Sequence, residues 1–171
     1  MEQDQFNFFM EMLKTQDYEK EELEDYLDLP DFNITTNNYE ALIFTSLVHK
    51  DLETFKLFIE HPTFTWGDAM NIIYTTLIDK KETEFIDFLF ELRNININCF
   101  DGYVLTKAAF ENDIELIKKL LSRVDLDLNV GHGVAVAYSI YHKTKGDDKL
   151  YELLKADVRT KEIFAKLEAK V

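Results

Sequence analysis

Three observations predict an all-α fold: an α-solenoid of about five stacked helix pairs, with short extended finger loops and a C-terminal capping helix. The first is the recurrence of paired apolar residues at Tyr26-Leu27, Phe58-Ile59, Leu89-Phe90, Leu120-Leu121 and Leu153-Leu154, at intervals of 32, 31, 31 and 33 residues. The second is helical spacing of the apolar residues, within which Glu53, Glu84 and Glu115 recur at 31, each two residues before Phe55, Ile86 or Ile117. The third is the apolar-polar couplet that closes each copy: Phe32-Asn33, Phe64-Thr65, Ile97-Asn98 and Leu128-Asn129. A helix pair of this size has too little interior to bury its own apolar stripe, so neighbours must stack to bury it.

The elements follow in order. Residues 4–14 carry Phe6, Phe9, Met10 and Leu13 at helical spacing, and residues 18–28 carry Leu23, Tyr26 and Leu27, so a helix pair opens the chain. Pro30 stops the second helix, and LPDFNITTNN makes a loop. Residues 38–50 form a helix through Ala41, Leu42, Phe44, Ser46 and Leu47. His49-Lys50-Asp51 breaks it, and residues 52–60 supply its partner. HPTFTWGD then leads into helices over 68–80 and 82–92, closed by RNININ.

In residues 98–129 a turn at Asp101-Gly102 opens a helix through Ala108-Ala109. Asn112-Asp113 breaks it, and residues 114–121 form the second helix, apolar at 116, 117, 120 and 121. VDLDLNVGHG leads to a helix over 134–142, the loop KTKGDD and a helix over 150–156. The tail 159–171 is a last helix with Ile163, Phe164 and Leu167 on one face, and Thr160 before Glu162 is its start signal. Ser46 and Ala108-Ala109 are small enough to let first helices pack closely.

The stretch AAFENDIELIKKLL follows the pattern A-A-x-x-G-H-x-E-V-V-K-L-L-L, and DGYVL stands where D-G-x-T-P-L is expected, one residue short. On these residues the segment resembles an ankyrin repeat, and SLVHKDLETFKLFIE follows the same frame. The resemblance implies one repeat domain over 1–171, with copies 4–34, 35–65, 66–97, 98–129 and 130–158 and a capping helix over 159–171. The T-P-L-H tetrapeptide is absent, and Lys50, Lys81 or Asn112 replaces the helix-breaking glycine. A tetratricopeptide or plain helical-pair stack stays open, although NININ and DLDLN are too extended for the tight turn of the former.

Composition narrows the role. Nineteen Lys and Arg against 33 Asp and Glu give a net charge of −14, which disfavours nucleic-acid phosphates and anionic membranes and favours a basic protein partner. Residues 1–37 hold eleven acids and two bases, whereas residues 142–171 hold eight bases and six acids. A single cysteine, Cys99, and an acidic N-terminal stretch point to a reducing, cytoplasmic setting, and no apolar run approaches the roughly 20 residues that cross a bilayer. The Phe, Tyr, Ile, Asn and Lys bias is of the kind found in AT-rich genomes, which points to a viral or phage accessory protein.

No catalytic, cofactor or metal constellation emerges. His49, His61, His132 and His142 are scattered, without the spacing of a zinc site, and His49 falls at the exposed end of a first helix. Cys99 reads as a reduced, partly buried thiol. The serines lack a G-x-S-x-G elbow, and KTKGDDK is no P-loop. The expected role is therefore a non-enzymatic protein-interaction module, an inhibitor or adaptor of a host protein. The resemblance places Trp66, Phe100, Asp101, Tyr103, Phe110 and Glu111 on the concave binding face, where aromatics flanked by charge serve as anchors. The alternative is an acidic nucleic-acid mimic that blocks a DNA-binding protein or nuclease through Glu21, Glu22, Glu24 and Asp25.

Overall fold

Helix is the only regular structure among the described residues, which in this computed structural model are 3–16, 18–29, 32–34, 36–92 and 95–169. The chain divides into two compact units, Met1–Ile95 and Asn96–Val171. The division falls within the exit segment of the third copy.

The unit Met1–Ile95 contains α1 (Gln3–Thr15), α2 (Lys20–Leu27), α3 (Thr36–Ile43), α4 (Leu52–Glu60), α5 (Asp68–Lys80) and α6 (Thr83–Glu91). Local chemistry sets these ends. Glu19 and Glu22 form a capping box at the start of α2, and the Asp51 carboxylate accepts the Thr54 N–H at the start of α4. Helix α3 runs on into a π-helical turn, Phe44–Val48, where the His49 N–H donates to the Phe44 carbonyl at 2.8 Å. Widening the helix frees carbonyls, and the Thr45 and Ser46 hydroxyls satisfy those of Ala41 and Leu42. First helices pack on one another, α3 and its π turn on α5, around Leu42, Phe55, Phe58, Ile73, Tyr74 and Leu77.

The unit Asn96–Val171 contains α7 (Cys99–Glu111), α8 (Ile114–Leu121), α9 (Val130–Thr144), α10 (Lys149–Ala156), a 3-10 turn (Val158–Thr160) and α11 (Lys161–Glu168). Here α7 packs along α9, α10 and α11 pack on α9, and α8 folds back on α7. Val104, Leu105, Ala108, Ala109, Ala135, Val136, Leu120 and Leu154 are all buried. The short side chains of Ala108, Ala109, Ala135 and Ser139 are what permit close approach of the two first helices.

Helices α7 and α9 each enter through a left-handed turn. Phe100, Asp101 and Gly102 all have positive φ, as do Gly131, His132 and Gly133 one period later. The turn is tied down from both sides. The Asn98 amide donates to the Asp125 carbonyl at 2.8 Å, its oxygen accepts the Asp127 N–H, and Asp101 Oδ1 accepts the Gly131 N–H. At Gly102 an added Cβ would overlap Val130 Cγ2, so neither the conformation nor the space admits a side chain.

The residues that end the first helices take a conformation that favours glycine. Lys50, Lys81 and Asn112 are all left-handed, at φ 57, 57 and 58°. Each is followed by an acid that begins the second helix. These junctions connect neighbouring copies, for Lys50 pairs with Glu82 at 2.7 Å and Asn112 donates to Asp147 at 2.7 Å.

Several sequence expectations are corrected. Of the paired apolar residues that close the second helices, Phe58, Leu89, Leu120 and Leu154 are fully buried and Leu27 is 5% exposed, so the last pair is in register at Leu154 rather than Leu153, and the first at Leu27 rather than Tyr26. The intervals become 31, 31, 31 and 34. From α3 onward the first helices keep 31, at Ser46, Leu77, Ala108 and Ser139, so the three extra residues fall between Ser139 and Leu154, in the end of α9 and the loop before α10. The helical part of α9 follows the left-handed turn at 131–133, so the predicted start at 134 holds, and the helix runs on to Thr144 instead of ending at 142. The tail helix is α11, not 159–171: Thr160 precedes it, but its hydroxyl donates to the Leu154 carbonyl instead of capping α11. Pro30, assigned to stop α2, lies outside the described residues, as do Lys170 and Val171 of the tail. α2 already ends at Leu27.

Candidate functional site

The residues singled out from sequence fall into separate sets. Trp66 belongs to the unit Met1–Ile95, where its indole N–H donates to Asn71 at 2.6 Å and its ring packs edge-on against Phe64 and Tyr74. Phe100, Asp101, Tyr103, Phe110 and Glu111 all lie on α7 in the other unit. Phe100 is 55% exposed at the left-handed turn, Asp101 is engaged with Gly131, and Tyr103 is partly exposed. Phe110 is 61% exposed, and Glu111 pairs with Lys107 at 2.8 Å one turn back.

The structure extends this set onto α9. Val134, Ala137, Tyr138 and Tyr141 recur at i, i+3, i+4 and i+7 and share one face. With Phe110 they line an open apolar groove of about 330 Å³. The Phe110 and Tyr138 rings meet edge to face at 5.4 Å, and Lys145 lies 5.5 Å from the Tyr141 ring. His142 donates from Nε2 to the Ala109 carbonyl at 3.0 Å and so holds the ends of α7 and α9 together beneath the groove. The opposite face of α9 is the buried one, through Ala135, Val136 and Ser139. An apolar stripe left in water on the far side of a helix that has already buried its core stripe has no folding role, which makes it a candidate contact surface.

Sequence reasoning predicted the helix but missed its share of the groove, although the signal was present. VAVAYSIY is apolar on nearly every face, and a helix of that kind needs cover on two sides.

The acidic alternative lies on α2. Glu22 serves the capping box through its bond from the Glu19 N–H, Glu24 pairs with Lys20 at 3.4 Å, and Glu21 and Asp25 are exposed. Between α1 and α2 runs a second groove, of about 420 Å³, lined by Phe8, Glu11, Met12, Thr15, Glu22, Asp25 and Tyr26. Charge is unequally shared: the unit Asn96–Val171 holds twelve acids and twelve bases, so the whole net charge of −14 resides in Met1–Ile95.

His49, His61, His142 and the cysteine have structural surroundings, while His132 is exposed. His61 donates from Nε2 to the Leu27 carbonyl at 3.1 Å, while His49, half-buried instead of exposed, lies against Phe44. Burial pushes the Cys99 thiol up, away from the thiolate form. Among the described residues no three of His, Cys, Asp and Glu gather as a metal site, and no helix is long and apolar enough to cross a membrane. Comparison with known protein families, with curated proteins and with solved structures finds no match.

Proposed function

We propose that the chain is a non-enzymatic protein-interaction module of divergent ankyrin-like build, which holds a partner protein on the α7–α9 face and thereby inhibits or recruits it. The observation that carries this reading is the Phe110, Tyr138 and Tyr141 cluster around an open apolar groove in a unit of zero net charge. Aromatic anchors in such a groove are the side chains that dominate binding energy at protein interfaces. The ankyrin-like reading draws on the 31-residue spacing of Ser46, Leu77, Ala108 and Ser139 and on the left-handed residues Lys50, Lys81 and Asn112 where that family uses glycine.

The test has two stages. A protein captured from the host on the wild-type chain is purified, and its affinity is measured by calorimetry against wild type and against Phe110→Ala combined with Tyr141→Ala. Both residues are exposed, so the circular-dichroism melt stays near wild type. The affinity falls about 1,000-fold, from roughly 2 kcal/mol for each of the two anchors. Unchanged affinity refutes the groove as the binding face.

The acidic-mimic reading has its own support, the confinement of the net charge to Met1–Ile95. Under that reading, reversing Glu21, Glu22, Glu24 and Asp25 to Lys abolishes capture while the aromatic change does little. Binding also weakens steeply between low and moderate salt.

A further inference from the structure

The groove between α1 and α2 pairs an aromatic lining with acidic walls. On α1, Phe8, Glu11, Met12 and Thr15 face it at i, i+3, i+4 and i+7. On α2, Glu22, Asp25 and Tyr26 face it at i, i+3 and i+4. Its floor is aromatic. Phe8 is 63% exposed, while Phe6 and Phe9 on the same helix are buried, so Phe8 is the aromatic that the core leaves out. Its ring lies near-parallel to that of Tyr26, with centroids 6.0 Å apart and planes 28° from parallel, which sets two π systems along the lining of a cavity of about 420 Å³.

The walls are anionic, and the neighbouring cations are engaged elsewhere. Lys14 and Lys20 are the only basic residues on α1 and α2. Lys14 turns to Glu40 at 3.9 Å and to the Phe44 ring, and Lys20 pairs with Glu24 at 3.4 Å. Among the described residues no lysine or arginine pairs with Glu11, Glu22 or Asp25.

We infer that this groove receives an arginine-bearing segment of a protein partner, with the guanidinium lying over the Phe8–Tyr26 surface and hydrogen-bonded to the Glu11, Glu22 and Asp25 carboxylates. The ligand chemistry follows by comparing what each class of group satisfies. An apolar side chain covers the floor but strips water from carboxylates without compensation. A lysine ammonium answers the charge as a point and stacks poorly. The planar guanidinium does both, stacking on an aromatic face while presenting paired N–H donors to a carboxylate. A nucleic acid is repelled by the same walls, and the unit's charge of −14 draws basic protein segments toward it. The inference does not rest on the α7–α9 face and stands or falls separately.

The experiment titrates the full chain with hexa-arginine and hexa-lysine, equal in length and charge, following backbone amide shifts by NMR. Hexa-arginine binds roughly tenfold tighter, and the largest shifts fall on residues 8–15 and 22–26. Phe8→Leu keeps the apolar bulk without the π face and brings hexa-arginine down to the hexa-lysine affinity. Glu22→Gln with Asp25→Asn weakens both peptides, and the glutamine can retain the capping-box role. Glu53→Gln with Glu84→Gln, on the exposed faces of α4 and α6, changes neither. Equal affinity for the two peptides, no effect of Phe8→Leu, or an equal loss from the α4 and α6 changes would each overturn the inference in favour of general attraction to an acidic surface.

Discussion

Replacing Gly102 by alanine tests the left-handed entry to α7, and Gly131→Ala supplies the internal control. Both positions have positive φ, at 72° and 56°, so both pay for a Cβ in the left-handed region, about 1–2 kcal/mol. Both recover roughly 0.4–1 kcal/mol, because alanine restricts the unfolded chain. They differ in space. A Cβ at Gly131 meets nothing closer than 3.6 Å, whereas at Gly102 it overlaps Val130 Cγ2 and lies 2.5 Å from Val130 Cβ. Val130 cannot easily retreat, since its neighbour Gly131 is held by Asp101. Overpacking of this kind adds about 1–3 kcal/mol. Gly102→Ala is therefore destabilising by about 3 kcal/mol and Gly131→Ala by about 1 kcal/mol. Urea unfolding followed by circular dichroism reads both, and adding Val130→Ala to Gly102→Ala recovers part of the loss. If the two single variants lie within half a kilocalorie of each other, on the order of a surface change, the entry turn is not packed as described.

Leu120, fully buried on α8, costs about 2–5 kcal/mol when cut to alanine, and a loss of surface-like size in the same melt would place it outside the core. Lys81→Gly relieves an exposed left-handed side chain at the end of α5 and raises stability by roughly 0.5–1 kcal/mol; a decrease would mean that the lysine's own interactions outweigh its backbone strain. Asp157, held below the usual carboxylate range first by its hydrogen bond from Arg159, contributes stability that is present at neutral pH. That contribution is lost as pH falls below about 4 toward the depressed folded value. The stability gap between wild type and Asp157→Asn accordingly narrows as the urea midpoint is followed from pH 7 to pH 3, and a gap independent of pH would contradict the pairing.

The helices and their order were legible in the sequence because each copy buries the same face, and burial imposes a spacing that survives substitution. Helix α4 matches its predicted bounds at both ends since Asp51, in the predicted break, caps its start, and α5 does so since Lys81 follows an unbroken stripe. The turns ahead of α7 and α9 were legible at Asp101-Gly102 and in VDLDLNVGHG, but their left-handed form at 100–102 and 131–133 was not. A non-glycine residue such as Phe100 or His132 gives no local sign of positive φ, and the contacts that hold it there come from Asn98 and Asp101 across the fold. The α7–α9 groove was half legible. Phe110 stood out beside Glu111, but Tyr138 and Tyr141 sit in a run whose buried and open faces differ only in which neighbour covers them. The Phe8–Tyr26 surface was hidden for the same reason, as Phe6, Phe8 and Phe9 look alike in sequence and only packing separates them.

The three residues by which the last second helix slips have a practical meaning. They lie in the end of α9 and the loop 145–148 that follows it, while Ser139 and Leu154 on either side stay buried in their places. The fold has thus already absorbed a lengthening at that junction without disturbing the layer beneath it. Loop closure becomes only slightly less favourable as a connection grows, about 0.6 kcal/mol for each doubling. A graft placed at Gly146, where open space surrounds the backbone, is therefore a way to mount an epitope or a reporter on this chain.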